Sequence, residues 1–461
     1  MDKLNTPLSD SFESESTISF ISQLEGQKKP STSPFDMLRE ASKVSAELLL
    51  ESMPNIISLY FLGSYSSVAV QSSYGLVLVW TICFGYALYE GLSAGLESLL
   101  STLKKEVSIV IYQRALVLCA LLILPIFMFL YLSKVFVFPM LLDEDSNEIA
   151  GKMVLYCIIS IFFNSTFLLS RSLMNSRHSF NNQLISTVVA SLFHIVVCYL
   201  LFAVCGFTVY GAIIAKILTD IFNINFFMWL TQLKEELKPE HFQTMKLTQI
   251  LELARTIMPR GIVMTLEILA YEVFTFQTVS LANEQISSHI IATNMHNIGY
   301  FIFTGISVVT YLKVGKYIVN YRRRCVEYIK NGALILLVVL LVFLLGMIYA
   351  PWRQTFTSEA SVTDCLTGLT PLIVMFTSLD CLQVFLSSIS RAVGKHKEAF
   401  QHFVISYFLI GEPFCFLLKW LYPENGLKNI WISMVLSVLL YNIWQGRTLW
   451  NVDLEVAAKI I

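Results

Sequence analysis

Long apolar runs alternate with short polar clusters along the whole chain. Val107 to Leu132, Met153 to Leu169, Ala333 to Tyr349 and Phe403 to Leu418 are nearly uninterrupted. Each approaches or exceeds the roughly 20 residues that carry a helix across a ~30 Å hydrocarbon layer. Such runs lack the period-two alternation of a barrel strand, and inside lipid only helices and closed barrels satisfy their own backbone. The pattern therefore predicts an all-α polytopic membrane protein of about twelve transmembrane helices. The predicted spans are 42–62, 69–100, 107–133, 149–171, 182–204, 208–231, 249–281, 286–312, 327–350, 366–390, 399–420 and 427–446.

Composition agrees: 55% of the 461 residues are hydrophobic and 14% charged, against about 25% charged in a soluble domain. Residues 1–38 have no long apolar run and are rich in Ser, Thr, Glu and Lys, which reads as a disordered cytosolic tail without a signal-peptide layout. The nine cysteines are scattered without a C-x-x-C pair, and the seven histidines show no ligand spacing such as H-E-x-x-H. They read as small core residues and isolated side chains, and neither a metal site, a cofactor nor an enzyme is expected.

Net charge is only −1, but the charges sort by connection. One alternating set holds Lys104, Lys105, Arg171, Arg177, Lys234, Lys238, Lys246, Lys313, Lys316, Arg322, Arg323, Arg324, Lys330, Arg391, Lys395 and Lys397. The other holds Lys134, Lys152, Arg353, Lys419 and Lys428 beside the acidic Asp143, Glu144, Asp145 and Glu148. The positive excess assigns the first set, and both termini, to the cytosol. The triplet at 322–324 reads as an anchor to anionic headgroups, not a nucleic-acid site.

A repeat runs through the chain. Ser170-Arg171, Phe180, Ile185-Ser186 and Gly206 recur as Ser390-Arg391, Phe400, Ile405-Ser406 and Gly426, every one 220 residues later. Two pseudo-symmetric six-helix lobes are predicted, 39–232 and 249–447, joined by a cytosolic linker 233–248 and followed by a tail 448–461.

Ionisable residues within spans are costly and mark candidate function. Glu267 and Glu272 lie five apart in the seventh span, about 140° around a helix, so both can border one wide cavity. Asp380 lies in the tenth. A buried carboxylate can hold either a proton or a cationic substrate. The alternative is a structural hydrogen bond to the next span, where Asn294, His296 and Asn297 are available. Glu47, Glu51, Glu90 and Glu97 in the first two spans and Glu412 in the eleventh are weaker candidates. Pro54, Pro125 and Pro259 permit bending, whereas Pro371 reads as a helix-end residue.

Several of these segments resemble the multidrug and toxic compound extrusion family. Leu253-Ala-Arg-Thr-Ile-Met-Pro followed by Thr265-Leu-Glu-Ile-Leu-Ala-Tyr-Glu is similar to its seventh span, and Leu379-Asp-Cys-Leu-Gln with Ser390-Arg-Ala-Val-Gly to its tenth. Leu142-Asp-Glu-Asp-Ser-Asn-Glu-Ile-Ala and the Gly426 to Trp431 turn are similar to the segments before its fourth and twelfth spans. The chain departs from the family at Thr102-Leu-Lys-Lys-Glu, at Lys313-Val-Gly-Lys and near Ser58, where some prokaryotic members carry aspartate. The resemblance, to a divergent eukaryotic-like member, implies a V-shaped pair of lobes exporting organic cations in exchange for protons or sodium. It implies a substrate and cation site at Glu267, Glu272 and Asp380 with Asn294 beside it.

The expected partners are the lipid bilayer of a plasma, vacuolar or other endomembrane and small organic cations. The sequence leaves the oligomeric state open and is compatible with a monomer. Two other readings compete: a flippase of lipid-linked glycans, for which the internal basic residues Arg114, Lys216, Arg255 and Arg260 are few, and a non-transporting membrane scaffold with the same fold. No nucleophile-base constellation points to an enzyme.

Overall fold

The structure, a computed structural model, describes residues 33–452 apart from 66–67, 142–143, 208–209, 238–241, 243–244, 279–280, 319–320 and 354–359. Most of both predicted tails, with Asp143 and Lys238, lies outside the described residues. Among these, twelve long helices follow one another: α1 (Pro34–Tyr65), α2 (Val68–Thr81, the π-helical turn Ile82–Tyr86, Ala87–Leu100), α3 (Lys105–Leu132, then Ser133–Val137), α4 (Glu144–Ser176), α5 (Phe180–Tyr199, then Leu200–Val204), α6 (Gly211–Leu230), α7 (Leu247–Phe276), α8 (Asn283–Tyr317), α9 (Arg322–Tyr349), α10 (Ala360–Ala392), α11 (His396–Val404, the π-helical turn Ile405–Gly411, Glu412–Leu421) and α12 (Leu427–Trp450). Ten are long and apolar enough to cross a membrane; α1 and α7 match them in length but carry more charge.

Helices outrun the apolar pattern because their ends find partners. α1 begins inside the predicted tail, since Met37, Ala41 and Val44 are buried against α8, α9 and α10. Pro371 proves to be interior: α10 starts at Ala360, upstream of its apolar run. Gly206 and Gly426, the repeat's turn glycines, both adopt positive φ, 71° and 46°, which glycine takes without steric cost. The outer faces of α3 and α9 expose rows of apolar side chains, Leu334, Val338, Leu341 and Leu345 among them, as lipid contact requires.

Each half has its own core, and each sends part of its first helix into the other. In α7, Ile250, Leu253 and Ile257 join the core of α1–α6, while Val263, Ala270 and Phe274 join that of α7–α12. Pro259 stands at the changeover. In α1, Met37, Ala41 and Val44 pack with the second half and Leu62 with the first, with Pro54 between.

The seam between halves is closest where α2 crosses α7. A Cβ on Gly261 would stand 1.7 Å from the Gly91 carbonyl oxygen, and one on Gly95 2.1 Å from that of Ile257. The two backbones therefore touch, in the manner of small-residue helix contacts in membranes. Thr265 Oγ1 donates to the Ala87 carbonyl at 3.0 Å, and Ser45 Oγ to that of Ile302 at 3.0 Å. Lys313 pairs with Glu40 at 2.9 Å. Apart from the Thr265 bond near mid-helix, these polar links cluster at the end where α1 and α7 begin.

Because backbone cannot yield, Gly261→Ala should destabilise the folded protein by about 1–3 kcal/mol. Gly346→Ala, which meets nothing within 4 Å, should not. Thermal unfolding of the purified protein in detergent compares them.

Candidate functional site

The buried charges gather in two places. In the second half, Asp380, Thr377 and Gln383 share one face of α10 at three-residue spacing, and Glu267 and Tyr271 share one face of α7 at four. Asp380 is fully buried and Glu267 nearly so. Tyr271 donates its hydroxyl to Asp380 Oδ1. The Gln383 amide donates to Glu267 Oε1 at 3.3 Å and to the Tyr271 hydroxyl at 3.5 Å, and its carbonyl accepts from Tyr407 at 2.7 Å. Tyr407 stands in the π-helical turn of α11, a distortion frequent at functional sites. On the other side of Asp380, Oδ2 lies 3.3 Å from His296 Nε2 of α8.

Glu267 and Asp380 are thus brought into one network, and each lies within electrostatic reach of Tyr300 and Tyr407. Glu272 is not part of it. Half-buried, it turns toward the seam, where Cys83 in the π-helical turn of α2 is its neighbour. Asn294 and Asn297 are exposed. Asn294 sits two residues, about 200° of helix, from the His296 face. Of the three partners considered on this span, only His296 faces the carboxylates. Glu412 is buried near the opposite end of the same half and accepts a hydrogen bond from Gln277.

The first half holds a nest of opposite charge. Arg171 is buried in α4 and pairs with Glu47 (3.3 Å) and Glu51 of α1 and with Glu90 (3.4 Å) of α2. Sequence sorting placed Arg171 in a connection; the helix carries it inside because three carboxylates await it. Glu97 extends the nest across the seam, accepting from Asn175 at 3.0 Å and from Tyr311 of α8. The guanidinium of Arg391, the repeat partner of Arg171, lies 4.9 Å from the centre of the Tyr311 ring. Further along, Ser58 meets His194 at 3.0 Å, and Lys216 pairs with Asp220 at 2.6 Å beside a small pocket lined by Asn55, Tyr74, Tyr86 and Ser160.

Same-face spacing could have found Tyr271 and Gln383. Nothing local points to Tyr407 or to Arg171 as a counter-ion, because both depend on which helices become neighbours.

The model of the MatE family matches residues 44–200. Protein DETOXIFICATION 26 of Arabidopsis thaliana is 25% identical over 386 residues, 77% of this chain and 75% of that protein. Protein DETOXIFICATION 8 of the same plant is 22% identical over 438 residues, covering 88% and 87%. In fold, the crystal structure of the eukaryotic MATE transporter AtDTX14 superposes with a TM-score of 0.80 at 17% identity, over 92% of this chain and 98% of that one. In sequence the chain is similar to the multidrug and toxic compound extrusion family, and it shares the fold of that family's solved transporters. That likeness supports the architecture of two six-helix lobes in a multi-pass membrane protein. Within that family's fold, the lobes here differ: the first neutralises its acids with Arg171 and Lys216, the second leaves two carboxylates among neutral hydrogen-bonding groups and one histidine.

The Arg171 nest gives a direct test. Arg171→Met would leave three buried carboxylates without their cation, and breaking such a pair costs about 3–5 kcal/mol. Thermal unfolding should show that loss, and adding Glu47→Gln and Glu51→Gln should recover part of it.

Proposed function

We propose that the chain is a secondary antiporter exporting organic cations and xenobiotics in exchange for protons, or for sodium, by alternating access. The observation that carries this reading is the pair Glu267 and Asp380, buried in one hydrogen-bonded network. Two carboxylates at such depth require a neutralising partner. A proton or an organic cation supplies it, and one site cannot accept both at once. Binding one ligand therefore displaces the other, and coupling follows if only the loaded lobes rock.

The polar links at the α1 and α7 end support a state closed there. The excess of Lys and Arg at the same end supports placing that end, and both termini, in the cytosol of a plasma or endomembrane-bounded compartment. The lobes 39–232 and 249–447 act as the rocking bodies around the linker 233–248. The scaffold reading calls for carboxylates turned to lipid or sealed in a dry core; Glu267 and Asp380 are buried, and they face the hydrogen-bonding groups Gln383, Tyr271, Tyr407 and His296. The flippase reading calls for a basic cavity, whereas the buried network of the second half is built on the acids Glu267 and Asp380.

Purified protein in liposomes tests the reading. An imposed proton gradient should drive movement of a fluorescent organic cation, with a sodium gradient as the comparison. Glu267→Gln and Asp380→Asn should each lower coupled flux at least tenfold, an effect of the size expected when a buried charge partner of the ligand is removed. Flux unchanged in both would discard the site, and flux driven by neither gradient would discard antiport.

A further inference from the structure

Among the described residues, His296 is the one cationisable group set directly against Glu267 and Asp380, and its ring can serve two charge states. It is 4% exposed. Its Nε2 stands 3.3 Å from Asp380 Oδ2, an ion-pair distance, and neither atom makes a hydrogen bond among the described residues, to the other or elsewhere. Its Nδ1 lies 3.1 Å from Thr377 Oγ1. A hydroxyl both donates and accepts. Thr377 can therefore accept from Nδ1–H both in the imidazolium and in the neutral ring that has lost its Nε2 proton. The ring is held in place from the side by Phe376, 4.8 Å between centroids, so Thr377 serves both charge states without moving it.

The surroundings favour one arrangement of charge. From α7 come Glu267 and Tyr271, from α10 Asp380, from α11 Tyr407, and from α8 itself Tyr300; the cation Arg391 lies within electrostatic reach of Glu267 and of Tyr300. Tyr271 already donates to Oδ1 of Asp380, which leaves Oδ2 as the oxygen that His296 or a ligand can take.

Resting on the antiport reading above, we infer that His296 and Asp380 hold one shared proton, and that an organic cation docking on Asp380 expels it. In the resting pair the proton is carried on Nε2 of an imidazolium that stands 3.3 Å from Oδ2, the built-in cation of the site. When the organic cation takes Oδ2, the N–H bond on Nε2 breaks, the electron pair stays on nitrogen, and the proton leaves for water. One positive charge enters and one leaves, so the charge of the pocket is unchanged. His296 is thus a positioning and proton-holding residue for Asp380, and it makes displacement stoichiometric.

The test uses the full chain, with histidines labelled with nitrogen-15, in lipid nanodiscs. His296 is one of seven histidines and is assigned by the resonance lost in His296→Gln. Its titration is followed in wild type and in Asp380→Asn. A shared proton requires the midpoint to fall by at least one pH unit, a tenfold change in proton affinity, when Asp380 loses its charge. An identical midpoint in both would overturn the pair, and this measurement needs no transport. Tetraphenylphosphonium is then added to wild type while a pH indicator counts protons. One proton released per cation bound, with the His296 resonance moving to the neutral form, supports expulsion. A bound cation that leaves the resonance unmoved overturns it. No binding at all overturns expulsion and the antiport reading together, with the shared proton still judged by the first titration. His296→Asn, carried alongside, should shift the pH window of release toward acid while keeping the folded monodisperse protein. A release window unmoved in both His296 variants would overturn the inference.

Discussion

A charge that enters the hydrocarbon must bring its counter-charge, and Arg171 shows how much architecture that constraint commands. Its guanidinium draws carboxylates from α1 and α2 to α4, so three helices are fixed against one another by a single side chain. Through Glu97 and Tyr311 the same network reaches α8, and so ties the second half to the first. Desolvating any of these groups alone would cost several kcal/mol; assembled, they specify which helices are neighbours. The apolar surfaces of those helices could pack in several registers, and the buried charges select one.

The two halves answer this constraint differently. The first matches its acids with cations of its own, Arg171 and Lys216. The second leaves its acids to hydroxyls, an amide and one imidazole, groups that share a proton more readily than they fix a charge. Equivalent scaffolds therefore neutralise their buried acids in different ways. The repeat that relates Arg171 to Arg391 persists in position, with Ser170 and Ser390 both buried and both hydrogen-bonded, to Tyr112 and Gln445, while the roles have diverged.

Most of the fold was legible in the sequence because hydrophobic thickness dictates span length, and runs such as Val107 to Leu132 admit no other element. The ends of helices were less legible: Met37 looks like part of a polar tail until its partners on α8 to α10 are known. Glu267 and Asp380 could be picked out because an acid in an apolar run carries its own signal. Asn294 could not be rejected the same way, since its distance from the site depends on how α8 is rotated, and that rotation is set by His296 meeting Asp380. Arg171 misled for the opposite reason. An arginine five residues from a helix end resembles a loop cation, and only the three glutamates on other helices draw it inward.

The exchange of first helices between cores has a mechanical consequence. The lower part of α1 is clamped in the second half and its upper part in the first, and α7 is arranged the other way round, each with a proline where custody changes. The two helices form crossed levers whose fulcrum is the glycine contact of α2 with α7, a bare backbone surface with little to interlock. Any tilt of one core thus applies torque to the other through rigid rods, so the halves cannot reorient independently, and leakage through a structure open at both ends is opposed by geometry alone.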